Sequence, residues 1–167
     1  MTTLEPRTNL RPTRLFVPPP DKATETSTDS LTRAVQMCVR RVDEDSLRRV
    51  ASVNAGLAFQ PKTLLALLTY CYARGIYGSA DVEDTMRRDK NFRTLCQNEF
   101  PGARLLRSFR RENRETLREC LAHVLLGRAE PQMAEASAMT GQAQCAAEAS
   151  RRIATAMFMD QMELEDV

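Results

Sequence analysis

The sequence predicts an all-α protein. No segment alternates apolar and polar residues as a strand does, whereas several segments repeat apolar residues at helical spacing. Hydrophobic residues make up 43% of the chain and aromatic residues 5%, with no Trp. This composition favours a core of Leu, Val, Ala and Met between packed helices. With 167 residues, we expect one compact multi-helix domain with a helix-turn-helix-like arrangement.

Composition divides the chain into three parts. Five of the eight prolines fall in the first 20 residues, and a stretch rich in Thr, Ser and Asp follows. We therefore predict a flexible, disordered arm over residues 1–28. A helical domain is predicted over 29–128, and an Ala- and Met-rich, acidic helical segment over 129–167. The start lacks an apolar signal core and no run reaches membrane-spanning length, so we expect a cytoplasmic protein without membrane contact.

The first half of the domain contains clear helix signals. Asp29 or Ser30 can cap a first helix that runs to about residue 41. A short second helix is predicted between about 43 and 56. Pro61 suits the first position of a Leu-rich helix that Gly75 ends, and this helix should form the buried centre.

Further helices are predicted after this centre. Ser79 opens a third helix, and Asp89 can cap a turn or two that carries Phe92 and Leu95. A long helix is predicted from Ala103 to Leu126, and a last helix from about 142 to 159.

The long helix from Ala103 carries the candidate site. Its apolar residues lie along one side, and five arginines recur at steps of three and four residues nearly opposite. These arginines are Arg104, Arg107, Arg111, Arg114 and Arg118. Docked by its apolar side, the helix would offer an unbroken cationic line to DNA phosphates or a major groove. Further residues assigned to this DNA-binding surface are Arg110, Arg87, Arg88, Lys90 and Arg93.

Charge is distributed unevenly along the chain. Residues 31–118 carry 17 Lys/Arg and ten Asp/Glu, whereas 119–167 carry three and eight. A basic body with an acidic end is expected of a nucleic-acid binder, and equally of two surfaces that pair between molecules.

Neither a catalytic nor a metal site is predicted. The five cysteines are widely spaced without a Cys-x-x-Cys pair, and His123 is the only histidine. The glycines form no phosphate-binding loop. We expect His123 to be a core or boundary residue, and we expect no cofactor and no enzymatic activity.

Residues 60–118 contain an ordered series of short motifs. A proline precedes a Leu-rich helix ending in Tyr-Ala-x-Gly, a Ser-led helix with an acidic residue follows, and an Asp-x-x-Phe-Arg-x-Leu step leads to a proline before a Phe-Arg helix. The matching residues are Pro61, Tyr72, Ala73, Gly75, Ser79, Glu83, Asp89, Phe92, Arg93, Leu95, Pro101, Phe109 and Arg110. This series resembles the N-terminal domain of bacterial DDE-type insertion-sequence transposases.

The resemblance implies an all-helical domain that recognises the terminal DNA repeats of a mobile element. Gly102 and Leu105 stand where the family has Asp and a capping Thr. The family's catalytic Asp-Gly segment does not follow. We therefore expect a non-catalytic DNA-binding domain from a split, truncated or domesticated element. Its expected partners are double-stranded DNA with inverted repeats, and a separately encoded catalytic subunit or a second copy.

The alternative function is a helical interaction or oligomerisation module without DNA binding. The basic helix would then pair with the acidic end of another copy or subunit. Ion pairs of Glu115 with Arg111 and Arg118 would neutralise part of the stripe, which weighs against DNA contact. The methionines within 133–162 could line a partner groove or serve as flexible packing. A third alternative is a decayed gene product without function.

Overall fold

The computed structural model describes residues 22–50, 59–89, 92, 95, 100–129 and 138–165. Over these ranges the protein is compact and all-α, as predicted, and contains no strand. The helices are α1 (Lys22–Arg41), a 3₁₀ turn (Glu44–Ser46), α2 (Pro61–Arg74), α3 (Ser79–Arg88), α4 (Ala103–Glu112), α5 (Arg114–Ala129) and α6 (Ala138–Glu165). None of the helices in these ranges has the length and apolar character needed to cross a membrane.

Helix α2 is the centre of the core, which confirms the prediction. Twelve of its fourteen residues are buried. Pro61 occupies the start, where a missing N–H costs nothing. Gly75 ends the helix with a left-handed φ of 84°, and its N–H donates to the carbonyl of Tyr72 at 3.2 Å. A side chain at this φ would be strained, so glycine is required here.

The other helices pack around α2. Helices α1 and α5 contact α2 and each other, α3 contacts α4, and α5 packs most extensively on α6. From α6, Ala149, Ile153 and Ala156 are buried in the same core cluster as the residues of α2. The acidic C-terminal segment therefore completes the core of the domain.

Helix α6 also satisfies the ends of two other helices. Arg152 Nη1 donates to the carbonyls of Tyr72 and Ala73 at the end of α2, at 2.7 and 3.0 Å. Asp160 accepts the backbone N–H of Ser79 at the start of α3, at 2.7 Å. Both contacts place the charge that a helix terminus favours beside it.

Three predicted helices have different bounds in the structure. Helix α1 begins at Lys22, ahead of the predicted cap, while 1–21 of the predicted arm lie outside the described residues. Of the predicted second helix, residues 43–50 are described and contain a 3₁₀ turn, where Asp43 Oδ1 accepts from Asp45 N at 3.2 Å, while 51–56 lie outside the described residues. Buried Leu47 then draws the chain into the core in an extended conformation. Helix α6 extends beyond 142–159 at both ends.

The long helix predicted from Ala103 to Leu126 is wrong, because Asn113 divides it into α4 and α5. Asn113 has φ −118° and ψ 28° and is 4% exposed. Its Oδ1 accepts from Arg48 N at 2.7 Å, and its Nδ2 donates to Arg48 O at 3.0 Å. The amide thus pairs with the backbone after the 3₁₀ turn. Helix α5 then continues past the predicted stop at Gly127.

Helix α4 obtains its N-terminal cap from α3. Gly102 precedes the helix and has no side chain to offer. Instead, Glu83 Oε2 accepts the backbone N–H of Ala103 at 3.0 Å. A carboxylate at a helix N-terminus satisfies a free donor and the helix dipole together. This contact replaces the local cap that the transposase-like pattern would supply.

Candidate functional site

Arg110, predicted to contact DNA, is a core residue in the structure. It is 4% exposed and forms a buried ion pair with Asp160 of α6. Its Nη1 donates to the Tyr72 hydroxyl at 2.7 Å. Asp160 Oδ2 also accepts the Ser79 hydroxyl at 2.7 Å. A guanidinium enclosed by these partners cannot reach a ligand, so its assignment to the DNA surface is wrong.

The pKa shifts in this network follow from its burial. Burial raises the pKa of the Tyr72 hydroxyl, and the neighbouring Arg110 opposes that shift only in part. Burial also lowers the pKa of Arg110, but its contacts with Tyr72 and Asp160 outweigh burial and leave that pKa above its ordinary value. The hydroxyl is therefore neutral and the guanidinium charged, which is the arrangement of a structural ion pair.

The remaining predicted arginines do not form a continuous free stripe. Arg107 lies half-buried, 3.9 Å from Glu163 of α6. The other ion pairs on the predicted surface are exposed: Arg87–Glu83 at 3.0 Å, Arg88–Asp84 at 3.6 Å, Arg111–Glu112 at 3.4 Å, and Arg118 with Glu115. Each carboxylate lowers the positive potential that its arginine would offer to DNA.

Among the described residues, only two of the side chains predicted to contact DNA are exposed and form no ion pair. Arg104 and Arg114 are exposed, but they lie on different helices on either side of Asn113. Lys90 and Arg93 lie outside the described residues. The structure thus does not assemble the predicted surface.

A different cationic face lies on α1 and the start of α2. It consists of Arg33, Arg40 and Arg41 on α1 and Lys62 on α2; we call it the α1 cationic face. The three arginines are exposed within an arc of about 100°. None of the four forms an ion pair with a residue that the structure describes. The sequence carried a signal that was missed, since residues 30–42 contain three basic side chains and no acidic one.

A shallow recess of about 270 Å³ lies at the edge of the α1 cationic face, between α1 and the start of α2. Arg40 and Lys62 line it together with the amides of Gln36 and Gln60. The recess lies at the N-terminus of α2, whose first turn contains no acidic residue. A helix N-terminus carries a partial positive charge, so the dipole and both side chains attract the same anion.

Arg40 and Arg41 have a second explanation. They occupy the last turn of α1, where cations stabilise the helix dipole. Arg33 and Lys62 have no such role, and Lys62 lies in the first turn of α2, where a cation is unfavourable. A purely structural role therefore does not explain the whole face.

The outer face of α6 is apolar towards its C-terminal end. Four large side chains are exposed there: Met157, Phe158, Met162 and Leu164. Phe158 and Leu164 are each 63% exposed. Of the described methionines in 133–162, Met139, Met157 and Met162 are exposed and Met159 is half-buried.

A thiol with a shifted pKa lies between α1 and α5. Cys38 Sγ donates to the carbonyl of Cys120 at 3.7 Å. A hydrogen bond with the Cys120 thiol, which stabilises the thiolate form, lowers the pKa of Cys38 to about 7; His123 and Arg41 add to this effect, while burial opposes it. The hydrogen bond with Cys38 and burial raise the pKa of Cys120. His123 is exposed, contrary to the predicted core or boundary position, and its Nδ1 lies 3.0 Å from Glu119 O.

The titratable groups do not form a metal centre in the part of the chain that the structure describes. No three His, Cys, Asp or Glu side chains are grouped there so that they could hold a metal ion. What the arrangement offers chemically is an anion-attracting face and an apolar face.

No protein-family model, curated protein or solved structure matches this chain. The transposase-like series of motifs therefore stays a prediction based on residues 60–118.

Proposed function

We propose that the protein binds double-stranded DNA without catalysing a reaction, and that the α1 cationic face makes the contact. The single observation that carries the proposal is that Arg40 and Lys62 line one recess, with Arg33 and Arg41 exposed on the same helix as Arg40, and that none of the four forms an ion pair with a described residue. The predicted stripe supports DNA binding less well. Arg107, Arg111 and Arg118 are ion-paired, and the two unpaired arginines, Arg104 and Arg114, lie on different helices.

The dimensions of the face suit a phosphate backbone. Arg33 and Arg40 are seven residues apart on α1, a rise of about 10 Å along the helix. One DNA strand carries about three phosphates over that length. The recess at Lys62 can accept one phosphate, while Arg33 and Arg41 reach its neighbours as forked donors.

The transposase-like motifs favour DNA over other polyanions. They lie within 60–118 and include Pro61 and the Leu-rich helix α2, whose N-terminus forms the recess. In this proposal α2 is both the centre of the core and the support of the contact surface. The recognition of inverted repeats and the pairing with a separate catalytic subunit are parts of the same proposal.

Binding to a fluorescein-labelled duplex, measured by anisotropy against salt, tests the proposal. Neutralising about four phosphates predicts a slope of log K against log salt of about −3.6. The affinity should then fall about a hundredfold between 50 and 200 mM salt. The double variant Arg33→Glu/Arg40→Glu should lose at least about tenfold in affinity at low salt.

A matched control carries the same change in net charge on the predicted stripe. Arg111→Glu/Arg118→Glu replaces two arginines that already face carboxylates, so we expect a smaller loss than on α1. Equal losses in both variants would show general electrostatic attraction and reject the α1 face. If the wild-type protein does not change the anisotropy of the duplex at low salt, DNA binding itself is rejected.

The second candidate function is the interaction or oligomerisation module. The exposed apolar end of α6 favours it, because large apolar side chains on a helix surface commonly mark a contact site. A mass that rises with protein concentration, combined with no binding to the duplex at low salt, would support this function over DNA binding.

A further inference from the structure

The outer face of α6 forms a seam that one helix can share with another. Ala154, Phe158 and Met162 follow one another at steps of four residues and are all exposed. These three residues give one side of α6 an apolar stripe over about two turns, the length over which two crossing helices stay in contact. Met157 and Leu164 are also exposed, but they lie about 100° and 120° around the helix from Phe158, with Gln161 between them and the stripe.

A positive side chain flanks one end of this stripe, and a negative side chain flanks the other. Arg151 lies seven residues before Phe158, and Glu165 lies seven residues after it. Both are exposed on the same side of the helix as Phe158. Their present partners are local, because Arg151 pairs with Glu148 at 2.7 Å and Glu165 accepts from Gln161 at 3.0 Å. Neither side chain contributes to the core, so both can turn towards a neighbouring molecule without disturbing the fold.

We propose that a second copy of this chain docks on this face, with the two α6 helices antiparallel and crossing at Phe158. In this arrangement Arg151 of each copy faces Glu165 of the other, so both ends are complementary. A parallel pair would instead place arginine against arginine and glutamate against glutamate. The charges thus select a second copy in one orientation, while Phe158 and Met162 supply the apolar contact. This inference does not depend on DNA binding, since the α1 cationic face is not used.

The contact is small. One short helical stripe from each copy falls at the low end of protein interfaces, so we expect a dissociation constant of about 1–100 μM. Association should therefore be visible as a mass that rises with concentration in sedimentation or light scattering. A mass that stays monomeric over this range overturns the proposal.

The position of the contact is tested by two variants at exposed residues. Phe158→Glu/Met162→Glu should weaken association at least about a hundredfold. The matched control is Met139→Glu/Gln142→Glu, which introduces the same two negative charges at exposed positions of the same helix. Met139 is 87% exposed but lies beyond the overlap that a crossing at Phe158 allows. Unchanged association of the Phe158 variant, or equal loss in the control, rejects this docking surface.

The orientation is tested by charge reversal. Arg151→Glu and Glu165→Arg should each weaken self-association about three- to tenfold, because each creates like charges at both ends. The variant that carries both changes should recover the wild-type affinity. A mixture of the two single variants should form heterodimers in preference to either homodimer. If the charge reversals leave association unchanged but Phe158→Glu/Met162→Glu abolishes it, the antiparallel arrangement alone is rejected.

The DNA proposal is judged separately in the same samples. The Phe158→Glu/Met162→Glu variant should still bind the duplex, because the α1 cationic face is unchanged. The Arg33→Glu/Arg40→Glu variant should show the same dependence of mass on concentration as the wild type, while its affinity for the duplex falls. If the wild type self-associates but does not bind DNA, the α6 proposal stands and the proposed function fails.

Discussion

Replacing Asp160 by alanine should destabilise the protein more than any change to a surface ion pair. The substitution removes the acceptor for the Ser79 N–H and hydroxyl, each at 2.7 Å. It also leaves the Arg110 side chain, 5% exposed, without its opposite charge. The Tyr72 hydroxyl is then the remaining partner of that guanidinium in this network.

The expected loss can be worked from these contacts. Removing one member of a buried ion pair costs about 3–5 kcal/mol. The two lost hydrogen bonds to Ser79 add about 1 kcal/mol each. We therefore expect Asp160→Ala to lower the free energy of unfolding by about 5–7 kcal/mol. Domains of this kind have a total of about 5–15 kcal/mol, so the variant should be close to unfolding.

Urea denaturation followed by circular dichroism measures this loss, since urea does not screen charges. The control is Asp84→Ala, whose carboxylate is 69% exposed and 3.6 Å from Arg88; its effect should stay below about 0.5 kcal/mol. The double variant Arg110→Met/Asp160→Leu should be at least about 2 kcal/mol more stable than Asp160→Ala, because no charge is left unpaired. A loss of under about 1 kcal/mol, or a double variant no better than the single one, refutes the reasoning.

Three further predictions follow from polar groups elsewhere. Asn113→Ala should cost about 2–3 kcal/mol in urea denaturation, because it removes both hydrogen bonds to the Arg48 backbone; a cost like that of an exposed Asn→Ala change would contradict the role of Asn113. Burial and nearby Asp160 raise the pKa of Glu163. The folded state thus binds this proton more tightly than the unfolded one, so Glu163→Gln should stabilise the protein at neutral pH, and the gain should vanish in acid; a gain that persists in acid would contradict this. The alkylation rate of Cys38 should rise to a midpoint near pH 7, and Cys38→Ser should remove that phase; a midpoint near that of an ordinary thiol would reject the shift.

The central part of the fold was predictable because its signals are local. Pro61 and Gly75 mark the ends of α2 through their own backbone restrictions, and the leucines between them leave no polar face. Such signals act within a few residues and do not depend on the rest of the chain. The start of α3 at Ser79 follows for a similar reason, although its cap comes from Asp160.

The division between α4 and α5 could not be read from the pattern. The apolar spacing continues through Asn113, so periodicity alone predicts one helix. The helix breaks because the Asn113 side chain bonds a backbone segment 65 residues away in sequence. No residue close to Asn113 in the sequence indicates a hydrogen-bond partner so far along the chain. Asparagine in a helix interior, with its tendency to bond backbone groups, was the available warning.

The predicted DNA site failed for a related reason. Helical spacing places Arg110 near the other arginines but does not show that α6 covers it with Asp160. Ion pairs within one helix, such as Arg118 with Glu115, were predictable from spacing, and the structure forms that pair. The α1 cationic face was overlooked because Lys62 joins it only when α1 and α2 pack together.

Asp160 follows Arg110 by 50 residues and the start of α3 by 81, which has a consequence for synthesis. While the protein emerges from the ribosome, Arg110 and the start of α3 lack their acceptor until this part of α6 has left the tunnel. Until then the nascent chain can collapse, but it buries an uncompensated cation and the open end of a helix. Fragments that stop before Asp160 should therefore be recognised by chaperones and degraded instead of accumulating as a smaller domain.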